Sequence, residues 1–227
     1  MDQSQAFDLE AQLGKIEHTA AGLKKIPDTY IGPQGTKIPD IGWFVLAAVK
    51  KTTSLSHAFC LLVRAKNTLA AAALIRLQLD TAMRIFGLSL IEDVEAAGTH
   101  LMNDGSYREL KSRHNERLDD KILHQKLNEY YPGLSAVYKA TSSYVHLSGA
   151  HIKTGLLEQE GTSVLFFHLN GTDDAKADQQ FAEIVDAFDQ ATTLTTELIE
   201  DFMRYRYGRV AGARPTHRAI PPPSGGG

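Results

Sequence analysis

The sequence predicts an all-α protein, a helical bundle that carries a small β-hairpin insertion near residues 151–169. Three observations lead there. Apolar residues recur at spacings of three and four, as in Leu9, Leu13, Ile16, Ala20 and Leu23. The stretch from Asn67 to Ile91 is apolar on nearly every side, which places that helix at the centre of a domain. Residues His151 to Leu157 and Val164 to Leu169 flank Glu160-Gly161, and the second run is apolar and aromatic, as a short hairpin requires.

Taken in order, Asp8 to Lys25 reads as an amphipathic helix stopped by Pro27. Residues 27–42 hold prolines and glycines at a density that means a loop or a hinge. A second helix spans Trp43 to Ala65, with Trp43, Leu46, Val49, Thr53, Ser56, Phe59 and Val63 on one stripe. Asn67 or Thr68 caps the third helix, which runs to about Ile91. Glu92 to Met102 continues it or starts a shorter one, and Asn103-Asp104-Gly105 is a turn. After the charge-dense stretch 107–117, a short helix starts at Asp119 or Asp120 and stops at Pro132-Gly133. Another covers Leu134 to about Leu147, and a last long helix runs from Asp173 or Asp174 to about Tyr207. This organisation gives one helical domain over residues 1–207. A basic, then Pro- and Gly-rich tail over 208–227 has the composition of a disordered segment.

Composition narrows the function classes. The formal net charge of −3 removes any global pull on nucleic acid, so a basic site must be local. The one cysteine, Cys60, lies in an apolar helical run, which favours a buried, inert thiol and a reducing compartment. Residues 1–10 are polar and acidic, unlike a secretory signal. The most apolar run, Leu69 to Leu79, is broken by Arg76 and falls short of the roughly 20 residues that span a bilayer. A cytoplasmic protein without membrane contact is expected.

Two groups of residues can carry chemistry. Arg76, Asp80 and Arg84 follow one another at spacings of four, so they are neighbours on one side of the third helix. In apolar surroundings such charges must be paired. They form either an ion-pair ladder that ties helices together or the wall of a polar cavity in which Arg76 or Arg84 holds an anion. The second group is Tyr138, Ser142, Ser143, Tyr144, His146 and His151. On a helix Tyr138, Ser142 and His146 share a face, and the histidine is either a proton-transfer group or a ring satisfied by the serine hydroxyls. His146 and His151 are five apart and no acid or cysteine cluster completes a ligand set, so no metal and no cofactor is expected. Arg108/His114 and Arg117/His124 match a loose Arg-x(4–6)-His spacing inside a segment that reads as a solvated face. The arginines from Arg204 to Arg218, interleaved with Tyr205 and Tyr207, fit a solubilising tail or a phosphate-binding one. Gly32-Pro33-Gln34-Gly35 lacks the lysine and the strand of a phosphate loop.

The order ALIRLQLDTAMRIFGLSLIED, GSYRELKSRHNERLDDKIL, YKATSSYVHLSGAHI resembles a family of uncharacterised bacterial helical proteins, a domain of unknown function, over roughly residues 70–155. That resemblance implies no activity. A looser one is to HEPN-like helical bundles, which use an arginine and a histidine in RNA cleavage. Those place both residues on one helix. Here Leu118 follows Arg117 where a polar residue is usual, and no arginine precedes His146 at that spacing. The resemblance therefore implies that Arg76 or Arg84 supplies the cation from another helix and that His146 is the acid or base, with Asp80 and Tyr144 beside them. Two readings follow. One is a HEPN-like protein handling RNA or a nucleotide, in a toxin or phage-defence setting. The other is a non-catalytic interaction module, a homo-oligomer or a hetero-complex built on the apolar run Val164 to Phe167. A small-molecule binder using the polar cavity is a third. Enzyme and binding module both stand at this level.

Overall fold

The computed structural model describes residues 7–33, 35–145, 148–149, 151–152, 156–158, 165–167, 169–173 and 177–207. The tail expected over 208–227 lies outside them, as does His146.

Helix α1 (Leu9–Gly22) starts where the Asp8 carboxylate accepts the Ala11 N–H, which satisfies one of the free donors of its first turn. Its stripe is the one the sequence predicts: Leu13, Ile16, Ala20 and Leu23 are buried. Pro27 does not end the winding. A 3-10 turn at Leu23–Lys25 leads into a wide π-type turn at Pro27–Ile31, in which proline takes the first position and needs no N–H donor. Gly32, at φ 105°, ends it.

Helix α2 (Asp40–Arg64) begins three residues before the predicted Trp43. The shift corrects the stripe. Its buried face is Ile41, Val45, Ala48, Val49, Thr52, Ser56, Phe59, Cys60 and Val63, a three-four repeat that starts at Ile41 and leaves Trp43 48 % exposed. Lys66, at φ 52°, turns the chain, and Asn67 caps α3 (Thr68–Leu88) by accepting the Ala70 N–H. As expected, α3 is the central helix. It packs against α2 and against three later helices, α5, α6 and the final helix α7 (Ala182–Tyr207). Phe59 of α2 and Phe188 of α7 stack with ring centroids 3.9 Å apart and close the core between those helices.

The shorter helix after residue 92 is separate: Asp93 caps α4 (Val94–Met102), and Gly98 lets it lie directly on the α2 backbone at Ile41. The turn at Asn103-Asp104-Gly105 is present, with Asp104 at φ 62°. Residues 107–119 form a 3-10 turn, Tyr107–Glu109, and a loop closed by a bridge between Lys111 and Arg117. Asp119 caps α5 (Asp120–Tyr130), and α6 (Leu134–Val145) follows Gly133, at φ 102°.

The hairpin insertion predicted near residues 151–169 is not supported as a formed element. His151 and Ile152 are helical, where an extended strand is expected from His151 onwards. Two three-residue strands, β1 (Leu156–Glu158) and β2 (Leu165–Phe167), pair antiparallel with Leu156 opposite Phe167. So short a pairing has no independent stability, and the residues joining the strands, Val164 among them, lie outside the described set. The last helix also starts later than Asp173. The Asp173 N–H donates to the Lys66 carbonyl at 2.8 Å, which docks this connection onto the α2–α3 turn, and winding begins with a 3-10 turn at Asp178–Phe181. Among the described residues no helix is long and apolar enough to cross a membrane.

Candidate functional site

The charged stripe of α3 divides into two environments. Arg84 is embedded. Its guanidinium contacts Asp80 one turn back at 3.2 Å and Asp120 at the start of α5, and it lies 4.9 Å from the Tyr107 ring. Only 15 % of its side chain is exposed. The Tyr107 hydroxyl donates to the Arg84 carbonyl at 2.6 Å, and burial pushes that phenol above its ordinary range. Gly87 makes the room: a Cβ there would sit 2.3 Å from the Tyr107 oxygen. Asp80 and Asp120 are shared further with Lys51 and Arg108, each at 3.4 Å. This half matches the ladder expected from the sequence. The Arg84 charge is met by two carboxylates, and the network ties α3 to α2, to α5 and to the loop before α5.

Arg76, two turns earlier, is held differently. Its guanidinium carbon lies 4.0 Å from the centroid of the Tyr138 ring on α6, and Nη2 donates to the Tyr138 hydroxyl at 2.5 Å. Tyr138 also meets the His124 ring of α5, with centroids 4.4 Å apart. His124 Nε2 is 3.1 Å from the Ser135 hydroxyl. Among the described residues Arg76 faces no carboxylate, because Asp80 is engaged by Arg84 and Lys51. His124 is held below its ordinary pKa by partial burial first, then by Arg76 and Lys139. The imidazole is therefore neutral at pH 7, with one ring nitrogen able to accept a proton.

The other predicted residues are placed elsewhere. The hydroxyls of Ser142 and Ser143 donate to the carbonyls of Tyr138 and Ala140 in their own helix, at 2.7 and 2.6 Å. They are absorbed by α6. Tyr144 lies six residues beyond Tyr138, which turns it away from that face; its ring sits 6.5 Å from that of His151. His151 Nδ1 accepts the Ser148 N–H at 3.2 Å. The structure thus brings Arg76 together with Tyr138, and Arg84 with Asp80, but it does not bring Ser142, Ser143, Tyr144 or His151 to them. His124 and Ser135 take part instead. Besides the loose Arg117/His124 match, the sequence carries a further signal for His124: with Asp120 it forms a four-residue step on α5 that matches the steps between Arg76, Asp80 and Arg84 on α3.

Among the described residues no three His, Cys, Asp or Glu side chains are grouped to hold a metal ion. Cys60 is fully buried against the Leu13 carbonyl, and burial pushes its thiol up to about 11, as an inert core cysteine requires. A groove on the α1–α7 side, lined by Lys15, Asp186, Asp189 and Glu197 among others, contains none of the predicted residues. No family model, characterised protein or solved structure matches the chain.

Proposed function

We propose that this protein handles RNA or a nucleotide by holding a phosphate group against Arg76, with His124, Tyr138 and Ser135 around it. The observation that carries the reading is the state of Arg76: a guanidinium with no carboxylate partner among the described residues, fixed on an aromatic ring. A cation oriented by one hydrogen bond and a ring face keeps donors for a planar, doubly negative group. The neighbouring neutral imidazole supports a chemical role as well. It can take a proton from a ribose hydroxyl while the guanidinium stabilises charge developing on the phosphate. The HEPN-like expectation is kept in altered form, with an arginine and a histidine drawn from two helices and His124 in the place assigned to His146.

The test is binding of a labelled oligoribonucleotide to the protein and to its Arg76→Ala variant, with helicity and Tm compared first. Losing charge-assisted hydrogen bonds of about 1.5–3 kcal/mol weakens binding roughly 10- to 150-fold. Equal affinity of a normally folded variant overturns the proposal. His124→Gln separates binding from chemistry: the variant is expected to keep affinity and to lose any cleavage the parent shows.

A second reading, a protein-interaction module, is favoured by one observation. Leu156 and Phe167 lie opposite each other on the paired strands and both are exposed, at 39 % and 52 %. Light scattering before and after Phe167→Asp addresses it. An unchanged assembly state counts against a homo-oligomer through this pair.

A further inference from the structure

The segment that leads into α5 carries charge in an asymmetric way. Its acids are occupied. Glu109 meets His100 at 3.2 Å, Glu116 meets Lys126 at 3.0 Å, Asp119 caps α5, and Asp120 holds Arg84 and Arg108. Its bases are not. Lys111, Arg113, Arg117 and Lys121 are exposed, and none of them meets a carboxylate among the described residues; the same holds for Lys139 on α6. A chain whose net charge is −3 therefore presents, among the described residues, a band in which Glu109, Glu116 and Asp120 meet basic side chains while Lys111, Arg113, Arg117, Lys121 and Lys139 meet no carboxylate.

The band has a direction. The loop that carries Lys111, Arg113 and Arg117 is pinned to the far end of α3: the Arg113 N–H donates to the Leu90 carbonyl at 2.9 Å and its guanidinium to the Ser89 carbonyl at 2.8 Å. Lys121 follows in the first turn of α5, next to Asp120 at Arg84. His124 and Lys139 then lead to Arg76. Arg76 and Leu90 are fourteen residues apart on and just beyond α3, which corresponds to about 20 Å along its axis. That is about six phosphate spacings of a stacked strand.

We infer that the ligand of this face is an extended nucleic-acid strand rather than a mononucleotide, with the Lys111–Lys121 loop holding backbone phosphates remote from the one at Arg76. The inference rests on the phosphate reading of Arg76. A free nucleotide reaches one end of the band only, so the loop cations contribute nothing to its affinity. A strand long enough to cover the band gains from each of them and releases counterions in doing so.

The experiment compares adenosine monophosphate with an oligoribonucleotide of about twelve nucleotides. Each is titrated at several salt concentrations against the parent, the Arg76→Ala variant and a Lys111→Gln/Arg117→Gln/Lys121→Gln variant. The three exposed substitutions are checked by Tm. With a slope near −0.7 per neutralised phosphate for a single strand, the triple variant is expected to flatten the dependence of log K on log salt by about 2. It is expected to leave the mononucleotide affinity unchanged, whereas Arg76→Ala weakens both ligands. If both ligands bind, Arg76→Ala weakens both, and the triple variant leaves the strand's salt slope unaltered, the inference is overturned while the phosphate reading stands. If strand and mononucleotide bind equally, it is overturned in the same way. If neither ligand responds to Arg76→Ala, both fall.

Discussion

Replacing Asp120 with alanine removes one of the two carboxylates that face the Arg84 guanidinium and leaves Asp80, at 3.2 Å, as its remaining anion. The arginine cannot simply turn to solvent, since its side chain is 15 % exposed and its Nη1 already lacks a hydrogen-bond partner among the described residues. A hydrogen bond between charged groups in such a setting is worth about 1.5–3 kcal/mol, and stranding a buried charge costs more. Two features reduce this. Asp120 is itself 30 % exposed, so water can enter the space it leaves, and Asp80 stays in place. The net expectation is a loss of about 1–2 kcal/mol, which corresponds to roughly 2–8 °C in Tm for a chain of this size. Urea denaturation reads it as a lower midpoint at unchanged slope. The double variant Asp120→Ala/Arg84→Met then recovers part of the loss, because the uncompensated charge is gone and an apolar side chain of similar length fills its path. A stability within about 0.3 kcal/mol of the parent for Asp120→Ala would refute the argument that Arg84 is a structural cation held by its carboxylates.

Two further outcomes follow from the geometry. The His124 ring should titrate below the ordinary 6.5 by NMR, and Arg76→Gln should raise its midpoint; a midpoint at or above 6.5 in the parent sinks the assignment of a neutral imidazole. The sign for stability follows from the same depression. The unfolded chain binds the proton more readily than the folded one, so this contribution is complete above pH 6.5 and is lost as pH falls from there through the lower folded value, a dependence that His124→Gln should flatten. Gly98→Ala places a Cβ 2.4 Å from the Ile41 backbone nitrogen, where no flexible side chain can yield. Overpacking of this kind costs about 1–3 kcal/mol, and thermal unfolding that matches the parent would show that α4 can shift off α2 at no cost.

How much was legible in the sequence differs from element to element. The caps at Asp8, Asn67 and Asp119 are local devices, in which a side-chain oxygen accepts an N–H three residues on, so the starts of those helices could be read without a fold; the Asp93 cap is of the same kind, but the sequence reading left open whether a new helix begins there. The start of α7 could not. Asp173 has the residue type of a cap, yet its N–H is bound by the Lys66 carbonyl, more than a hundred residues earlier, and the helix waits until Asp178. Trp43 misled the α2 stripe for a related reason: hydrophobicity alone does not say which of two offset repeats faces the core, and the repeat from Ile41 is the one that α4 and α7 cover.

The candidate site shows the same boundary. Its α3 half followed from spacing, because residues four apart on a helix are neighbours whatever the rest of the chain does. The hydroxyls of Ser142 and Ser143 looked available in the sequence and are spent on their own helix, an outcome that depends on side-chain rotamers.

By itself the sequence determined an all-α chain, a central apolar helix and a charged stripe upon it, since helical periodicity and capping act over a few residues. Only the tertiary structure decided which groups meet that stripe. It gave Arg84 its carboxylates from α3 and α5, and it gave Arg76 a tyrosine from α6 and, beyond it, a histidine from α5. Whether a charge is cancelled or left for a ligand depends on which groups from distant parts of the chain come within a few ångströms of it, and periodicity along one helix contains no record of them.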